Sequence, residues 1–307
     1  MEWQQIVGFH QVARKASFTK AAEATFRTQS ALSQQVKALE EELGVRLIER
    51  IGKRRLRLTE AGERFFRFTQ SVLNSYEGFQ EELQELQGTP AGVLRLAAPF
   101  TTLYHLFPKV LCTYPRRFPQ VRLSILDRSQ REIFDLVRLG DIDFGLALES
   151  AAPRDLAVQR WQEVEMVLMT PRDHPLTRLK QVTVEEIARY PLILPPRGQR
   201  SPGRQTLEAL FQKQALDYRV VMESSNVELS SLYVELGLGI SFATIVKDLP
   251  LAGQRPLTFI PMSHYVPPDF IAVVMRRDKI MSAHLRAFLD LLFGGLNKFS
   301  LGGGPGA

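Results

Sequence analysis

Three stretches of this sequence predict a multidomain chain: a mostly helical N-terminal winged helix-turn-helix, a long linker helix, and a C-terminal α/β domain. The first is residues 17–50, SFTKAAEATFRTQSALSQQVKALEEELGVRLIER, where two helix-spaced patterns meet at a short break. The second runs from about residue 60, where apolar residues recur every seven positions. The third begins at Val93, where strand-like runs alternate with helical ones. With 307 residues, 45% hydrophobic and 23% charged, the chain has room for two or three domains with ordinary cores.

Ile6, Phe9, Val12 and Ala13 space a first amphipathic helix behind the two that follow. Ala21, Ala22 and Phe26 predict one face of a short second helix, with Ser17 and Thr19 available to cap it. After a break at Arg27-Thr28, Ala31, Leu32, Val36, Leu39 and Leu43 predict a third helix, stopped at Gly44. Its other face carries Gln29, Ser30, Ser33, Gln34 and Lys37. A Gln pairs bidentately with adenine in the major groove, and hydroxyls and N-terminal N–H groups take phosphates, so this face suits reading duplex DNA. By pattern alone it also suits a small three-helix core with a solvated polar side.

The next segment favours DNA. Ile51, Leu56 and Leu58 around Gly52-Lys53 predict a hairpin crowded with Arg46, Arg50, Lys53, Arg54, Arg55 and Arg57. A basic hairpin directly after a helix-turn-helix is a wing placed along a phosphate backbone, where each cation releases counterions on binding. The net charge of +6 permits such a partner.

At this point the chain resembles the LysR-type transcriptional regulators. The resemblance rests on F-x-x-AAE and QSALSQQVKALEEELGVRLIER between Phe18 and Arg50, then the basic wing and LTEAG at 58–62. Ser30 stands where the family usually has proline, which would loosen the start of the recognition helix. Ile48 stands where it usually has phenylalanine, keeping an apolar anchor. The DNA-binding domain is placed at 1–59, with its helix-turn-helix at 18–37.

Thr59 can cap the helix that follows, placed at 60–88. Phe65, Val72, Phe79 and Leu86, with Thr69, Tyr76 and Leu83 between them, predict a heptad seam about 40 Å long that pairs with a second copy. The alternative is a helix lying on its own domain's core. The resemblance implies a dimer through this helix that sets two reading heads on inverted half-sites, dimers that pair again into tetramers, and RNA polymerase as a further partner.

Gly88 to Gly92 reads as a hinge. Strands are predicted at 93–99, 121–126, 143–148, 165–170, 191–194, 218–222, 239–243 and 270–275. Helices are predicted at 103–113, 130–139, 203–214, 227–236 and about 282–295, with a loose tail at 297–307. The resemblance implies an effector domain at 89–296 of two Rossmann-like subdomains, like a periplasmic solute-binding protein. The first covers 92–164 and 270–296, the second 165–269.

Ligands of open α/β folds meet strand ends and helix starts. That rule selects Thr101 and Thr102 first, then Ser129, Glu149, Gln199 and Ser201 with Arg197, Arg200 and Arg204 nearby, and Asn226 with Ser224 and Ser225. Any one of these is also an ordinary cap. Together they suggest a small anionic effector. The Thr101-Thr102 pair is similar to regulators of sulfur assimilation within the family, without naming an effector.

His10, His105, His174, His264 and His284 lie singly, with no catalytic or phosphate-binding motif around them, so neither catalysis, nor a metal, nor a cofactor is expected. Cys112 alone makes no disulfide and is expected as a packed core thiol. With no signal-peptide pattern and no run of about 20 apolar residues, no membrane is expected and the cytoplasm is the expected compartment. A solute-binding protein would leave the basic first sixty residues unexplained. An effector-independent DNA binder would leave some two hundred. The sequence therefore predicts a ligand-responsive DNA-binding regulator, in which effector binding passes through the hinge near Thr89 to alter half-site spacing or bend.

Overall fold

The computed structural model describes residues 1–51, 55–86, 91–197, 202–224, 226–246 and 255–295; at Arg50, Ile51, Arg55, Gln84, Glu85, Pro202 and Gly203 only the backbone is described. The headpiece begins with α1 (Trp3–Lys15), α2 (Phe18–Ala24) and α3 (Gln29–Leu43). Ser17 Oγ accepts the Lys20 N–H at 3.3 Å and Thr28 Oγ1 accepts the Ala31 N–H at 3.2 Å, so each of the last two helices starts on its own side-chain cap. The apolar faces close on one another through Phe9, Val12, Ala21, Ala22, Leu32, Val36 and Leu39.

The wing is a two-stranded hairpin, β1 (Ile48–Ile51) and β2 (Arg55–Leu58), paired antiparallel from Ile48↔Leu58 to Ile51↔Arg55. Glu40 Oε1 accepts from Leu47 N and Ile48 N at 2.7 and 3.0 Å, which fastens the wing to α3. Ile48 packs against the headpiece core as the apolar anchor expected of it. Thr59 Oγ1 accepts the Gly62 N–H at 3.0 Å at the start of α4 (Glu60–Leu86). A Cβ on Gly62 would lie 1.9 Å from the Leu47 carbonyl oxygen, so only glycine lets α4 approach the headpiece here.

The effector domain alternates strands and helices: β3 (Gly92–Ala98), α5 (Phe100–Leu106), α6 (Pro108–Arg117), β4 (Val121–Asp127), α7 (Gln130–Arg138), β5 (Phe144–Leu148), β6 (Leu156–Pro171) and α8 (Val184–Ala188). It continues with β7 (Leu192–Leu194), α9 (Pro202–Lys213), β8 (Val220–Glu223), α10 (Val227–Glu235), β9 (Ile240–Val246), β10 (Leu257–Pro261), β11 (Asp269–Arg276) and α11 (Ala283–Leu292). The strand order is β4-β3-β5-β11-β6-β9-β7-β8, with β10 also on β6. The long β6 serves both halves: Leu156 to Val164 pair with β11, and Val164 to Met169 pair with β9. One core gathers Leu94, Phe107, Tyr114, Phe144 and Phe288; the other gathers Leu168, Ile187, Leu194 and Phe211.

Several local expectations change. The helix expected over 103–113 is two, because Phe107 ends α5 and Pro108, lacking an N–H, opens α6. Strand 165–170 is the second half of β6, whose first half alternates too weakly between apolar and polar to read as a strand. Neither α8 nor β10 was expected. Cys112 is exposed, not packed: Val110 and Tyr114 turn α6 inward, and Cys112 falls on the opposite side.

Candidate nucleic-acid interface and inter-subdomain cavity

On α3 the residues expected to read DNA lie together. Gln29, Ser30, Gln34 and Lys37 are exposed and Ser33 is half-buried on the side away from the core. At Ser30 the helix still starts on the Thr28 cap, and the Ser30 hydroxyl lies 3.1 Å from the capping hydroxyl. Lys37 is held loosely, 3.4 Å from Glu41 with both side chains mostly in solvent, so the ion pair adds little and leaves the cation available. Phe26 is a correction. It does not share the buried face of Ala21 and Ala22 but is 99% exposed in the turn, at φ +54°. The chain reverses there because Arg27 N–H returns to the Ala22 carbonyl and Thr25 Oγ1 donates to that of Ala21. In the wing, Arg57 lies 3.7 Å from Glu49. Lys53 and Arg54 lie outside the described residues, as do the side chains of Arg50 and Arg55.

Along α4 an apolar stripe faces outward: Phe68, Tyr76, Phe79, Leu83 and Leu86, with Phe79 53% and Leu86 83% exposed. The heptad expected here needs two changes. Thr69 is fully buried, donating to the Phe66 carbonyl at 2.9 Å, and Phe65 packs into the headpiece core. A straight helix turns every 3.6 residues, so a strict period of seven drifts off the exposed face, and Phe68 takes the place assigned to Thr69.

Between the two halves of the effector domain lies a cavity of about 270 Å³. Its walls are mainly apolar, from Ala147 and Leu148 of β5, Val164 and Met166 of β6, and Phe242 to Val246 of β9. Thr101 and Thr102 of α5 line it, Thr102 nearly buried, with Gln130 of α7 and Thr244 of β9. Arg204 of α9 lines it too and is 4% exposed. Burial opposes its charge, but Glu223 at 2.8 Å and Glu208 at 2.9 Å outweigh that, and the guanidinium also donates to the Pro195 carbonyl. Across the cavity His105 Nε2 of α5 meets Glu228 Oε1 of α10 at 2.6 Å, joining the two halves.

The other residues expected at the cavity are engaged elsewhere or not described. Ser129 caps α7: its hydroxyl donates to Glu132 Oε2 at 2.6 Å and that bond holds the Glu132 carboxyl below its usual range. Glu149 accepts from Arg160 Nε at 2.8 Å, beyond the wall. Asn226 Oδ1 accepts the Glu228 and Leu229 N–H groups at 2.8 and 3.4 Å, capping α10. The buried Ser224 hydroxyl donates to the Asn226 carbonyl at 3.2 Å, and Arg197 is mostly exposed, 3.4 Å from Glu208. Gln199, Arg200, Ser201 and Ser225 lie outside the described residues. Among the described residues no cluster of three His, Cys, Asp or Glu could hold a metal, and no helix is long and apolar enough to cross a membrane.

The family model for the LysR substrate binding domain matches residues 87–296, and that for the bacterial regulatory helix-turn-helix protein, lysR family, matches residues 3–63. The chain belongs to the LysR family. This LysR-family regulator is 31% identical to the transcriptional activator CmpR of Synechocystis over 286 residues, 93% of this chain and 92% of that protein. It is 28% identical to the transcriptional regulator cbl of Escherichia coli over 301 residues, 97% of this chain and 94% of that protein. A solved full-length OxyR variant from Pseudomonas aeruginosa, 26% identical, superposes with a TM-score of 0.68 and covers 98% of this chain and 99% of its own. These relatives are named as regulators, not enzymes, in keeping with the absence of a catalytic motif.

Proposed function

We propose that this LysR-family regulator holds promoter DNA as an oligomer joined along α4, with Gln29, Ser30, Ser33, Gln34 and Lys37 in the major groove and the wing along the phosphates. A small metabolite bearing an acidic group occupies the cavity, where Thr101, Thr102, Gln130 and Arg204 offer donors and the apolar wall takes its body. The observation that carries the reading is that cavity: it is walled by both halves of the domain, so an occupant contacts both and favours one relative arrangement. Assembly of dimers into tetramers, action in the cytoplasm and contact with RNA polymerase belong to the same proposal.

Two experiments test it. A thermal-shift screen of sulfur, nitrogen and carbon metabolites should find a compound that raises the melting temperature, because a ligand that binds only the folded state stabilises it. That shift should shrink in Thr102→Val; an equal shift in the variant removes the hydroxyl from the site. For the DNA face, Gln29→Ala should lose on the order of 10- to 100-fold in operator affinity, as a bidentate base contact does, with little loss on random duplex. Equal losses on both DNAs would refute a base-reading role.

A further inference from the structure

The headpiece and the effector domain touch directly, away from the chain segment that connects them. Arg14, in the last turn of α1, pairs with Asp141, in the turn before β5. Below that pair one face of α4 lies along the effector domain. Gln70 lies against Gly140, and Ser71 lies beside Asp278. Asn74, its amide oxygen turned to Arg276, accepts from Nη2 at 3.1 Å. Gly78 receives Ile280, and Glu81 lies 4.0 Å from His284 Nε2.

The effector residues in this junction sit at one end of a two-stranded ribbon. β5 starts just after Asp141 and ends in the cavity wall at Ala147 and Leu148; β11 passes the wall at Ile271 and ends at Arg276. The two strands pair antiparallel from Ile271↔Leu148 to Val274↔Gly145. At the junction end Lys279 Nζ joins Asp143 at 2.7 Å. The ribbon therefore has the cavity at one end and the DNA-binding headpiece at the other.

We propose that the Arg14–Asp141 pair is a releasable latch, which when closed locks the headpiece to the first half of the effector domain and so sets the angle at which the recognition helix meets DNA. The chemistry suits release. Both side chains remain partly in solvent, at 33% and 20% exposure, where ion pairs are weak and salt-screened. Most of the remaining contacts along α4 are polar, so water replaces them when the junction opens. The trigger rests on the cavity being the effector site, but the latch itself is tested without any effector.

The test uses the full-length protein, effector-free, on a duplex of its own promoter region. Asp141→Arg sets two guanidinium groups against each other and is expected to speed amide exchange in the last turn of α1 and along 70–81 by tenfold or more. It also changes the stretch of DNA protected from cleavage. The swapped pair, Arg14→Asp with Asp141→Arg, restores both readouts, and the milder Asp141→Asn shifts them in the same direction by less. Unchanged exchange and footprint in Asp141→Arg, or a swapped pair no closer to the parent than the single variant, overturns the latch. Loss of metabolite response in Thr102→Val with normal exchange at the junction would bear on the cavity alone.

Discussion

Beyond its first two turns, the two faces of α4 invert the usual arrangement of a surface helix. Its inward face sets Ala61, Phe65 and Phe66 on the headpiece core over the first two turns, but from Thr69 onward, at Gln70, Asn74 and Gly78, the side that packs within the chain is small or polar. Its outward face, Phe68, Tyr76, Phe79, Leu83 and Leu86, is the apolar one and stands in solvent, extended by Trp3 whose ring lies 4.8 Å from that of Tyr76. A helix folding for its own chain's benefit buries its apolar stripe. Here the polar face is used within the chain, and a contiguous apolar stripe is left for another molecule. The pairing proposed above along α4 would cover it with a second copy of the same helix.

The sharpest way to break this contrast is to charge the outward face. Phe79→Glu should convert the oligomer to a monomer in sedimentation and lower operator affinity by about 100-fold or more, since two tethered reading heads bind far more tightly than one. A variant that sediments and binds like the parent would return the stripe to ordinary surface.

On the inward face the largest effect should come from acid. His10 is buried under α4, its ring stacked 4.9 Å from Phe66. Its Nδ1 lies 3.3 Å from Thr69 Oγ1. The Thr69 proton is given to the Phe66 carbonyl, so Nδ1 is the donor in this contact. Burial, then Arg14 and Arg276, lower its pKa from 6.5 to about 4. Because the folded pKa is depressed, the stability that goes with a neutral ring is fully present above pH 6.5. It is lost as pH falls toward 4, where the unfolded chain takes up a proton that the native headpiece refuses. At about 1.4 kcal/mol per pH unit the loss approaches ~3 kcal/mol. Denaturant melts of the parent and of His10→Gln across pH 7 to 4 check this: the variant's curve should be flatter, and parallel curves would reject the assignment.

A smaller effect is expected at Gly78, where an added Cβ would lie 2.9 Å from Ile280 Cδ1. Gly78→Ala should cost about 1–3 kcal/mol in crowding, offset by about 1 kcal/mol of helix propensity. The net loss should vanish in an Asp141→Arg background if the junction is already open, which equilibrium unfolding of the single and double variants would show.

The headpiece was legible residue by residue because its information is short-range. Ser17, Thr28 and Thr59 cap the helices that follow them within three residues, and the exposed face of α3 is set by its own periodicity. Phe26 escaped because an apolar residue at the right spacing looks the same in a helix as in a left-handed turn one step beyond its end. In the effector domain, most strands were visible as apolar runs, whereas the first half of β6 was hidden by its mixed texture. The rule that ligands meet strand ends led to Thr101 and Thr102 at the cavity, but it led equally to Ser129 and Asn226, which cap helices. Before folding nothing separates a hydroxyl that closes a helix from one that faces a ligand. His105 and Glu228 carried no signal, being 123 residues apart.

From the sequence alone come the order of the domains, the family and the exposed polar face of α3, because periodicity, caps and glycine stops act over a few residues. Folding in three dimensions decided which side of α4 is covered, which polar groups share the cavity, and that Arg14 reaches Asp141. Those outcomes depend on contacts between distant segments, and a side chain's chemistry is the same whichever distant partner it meets.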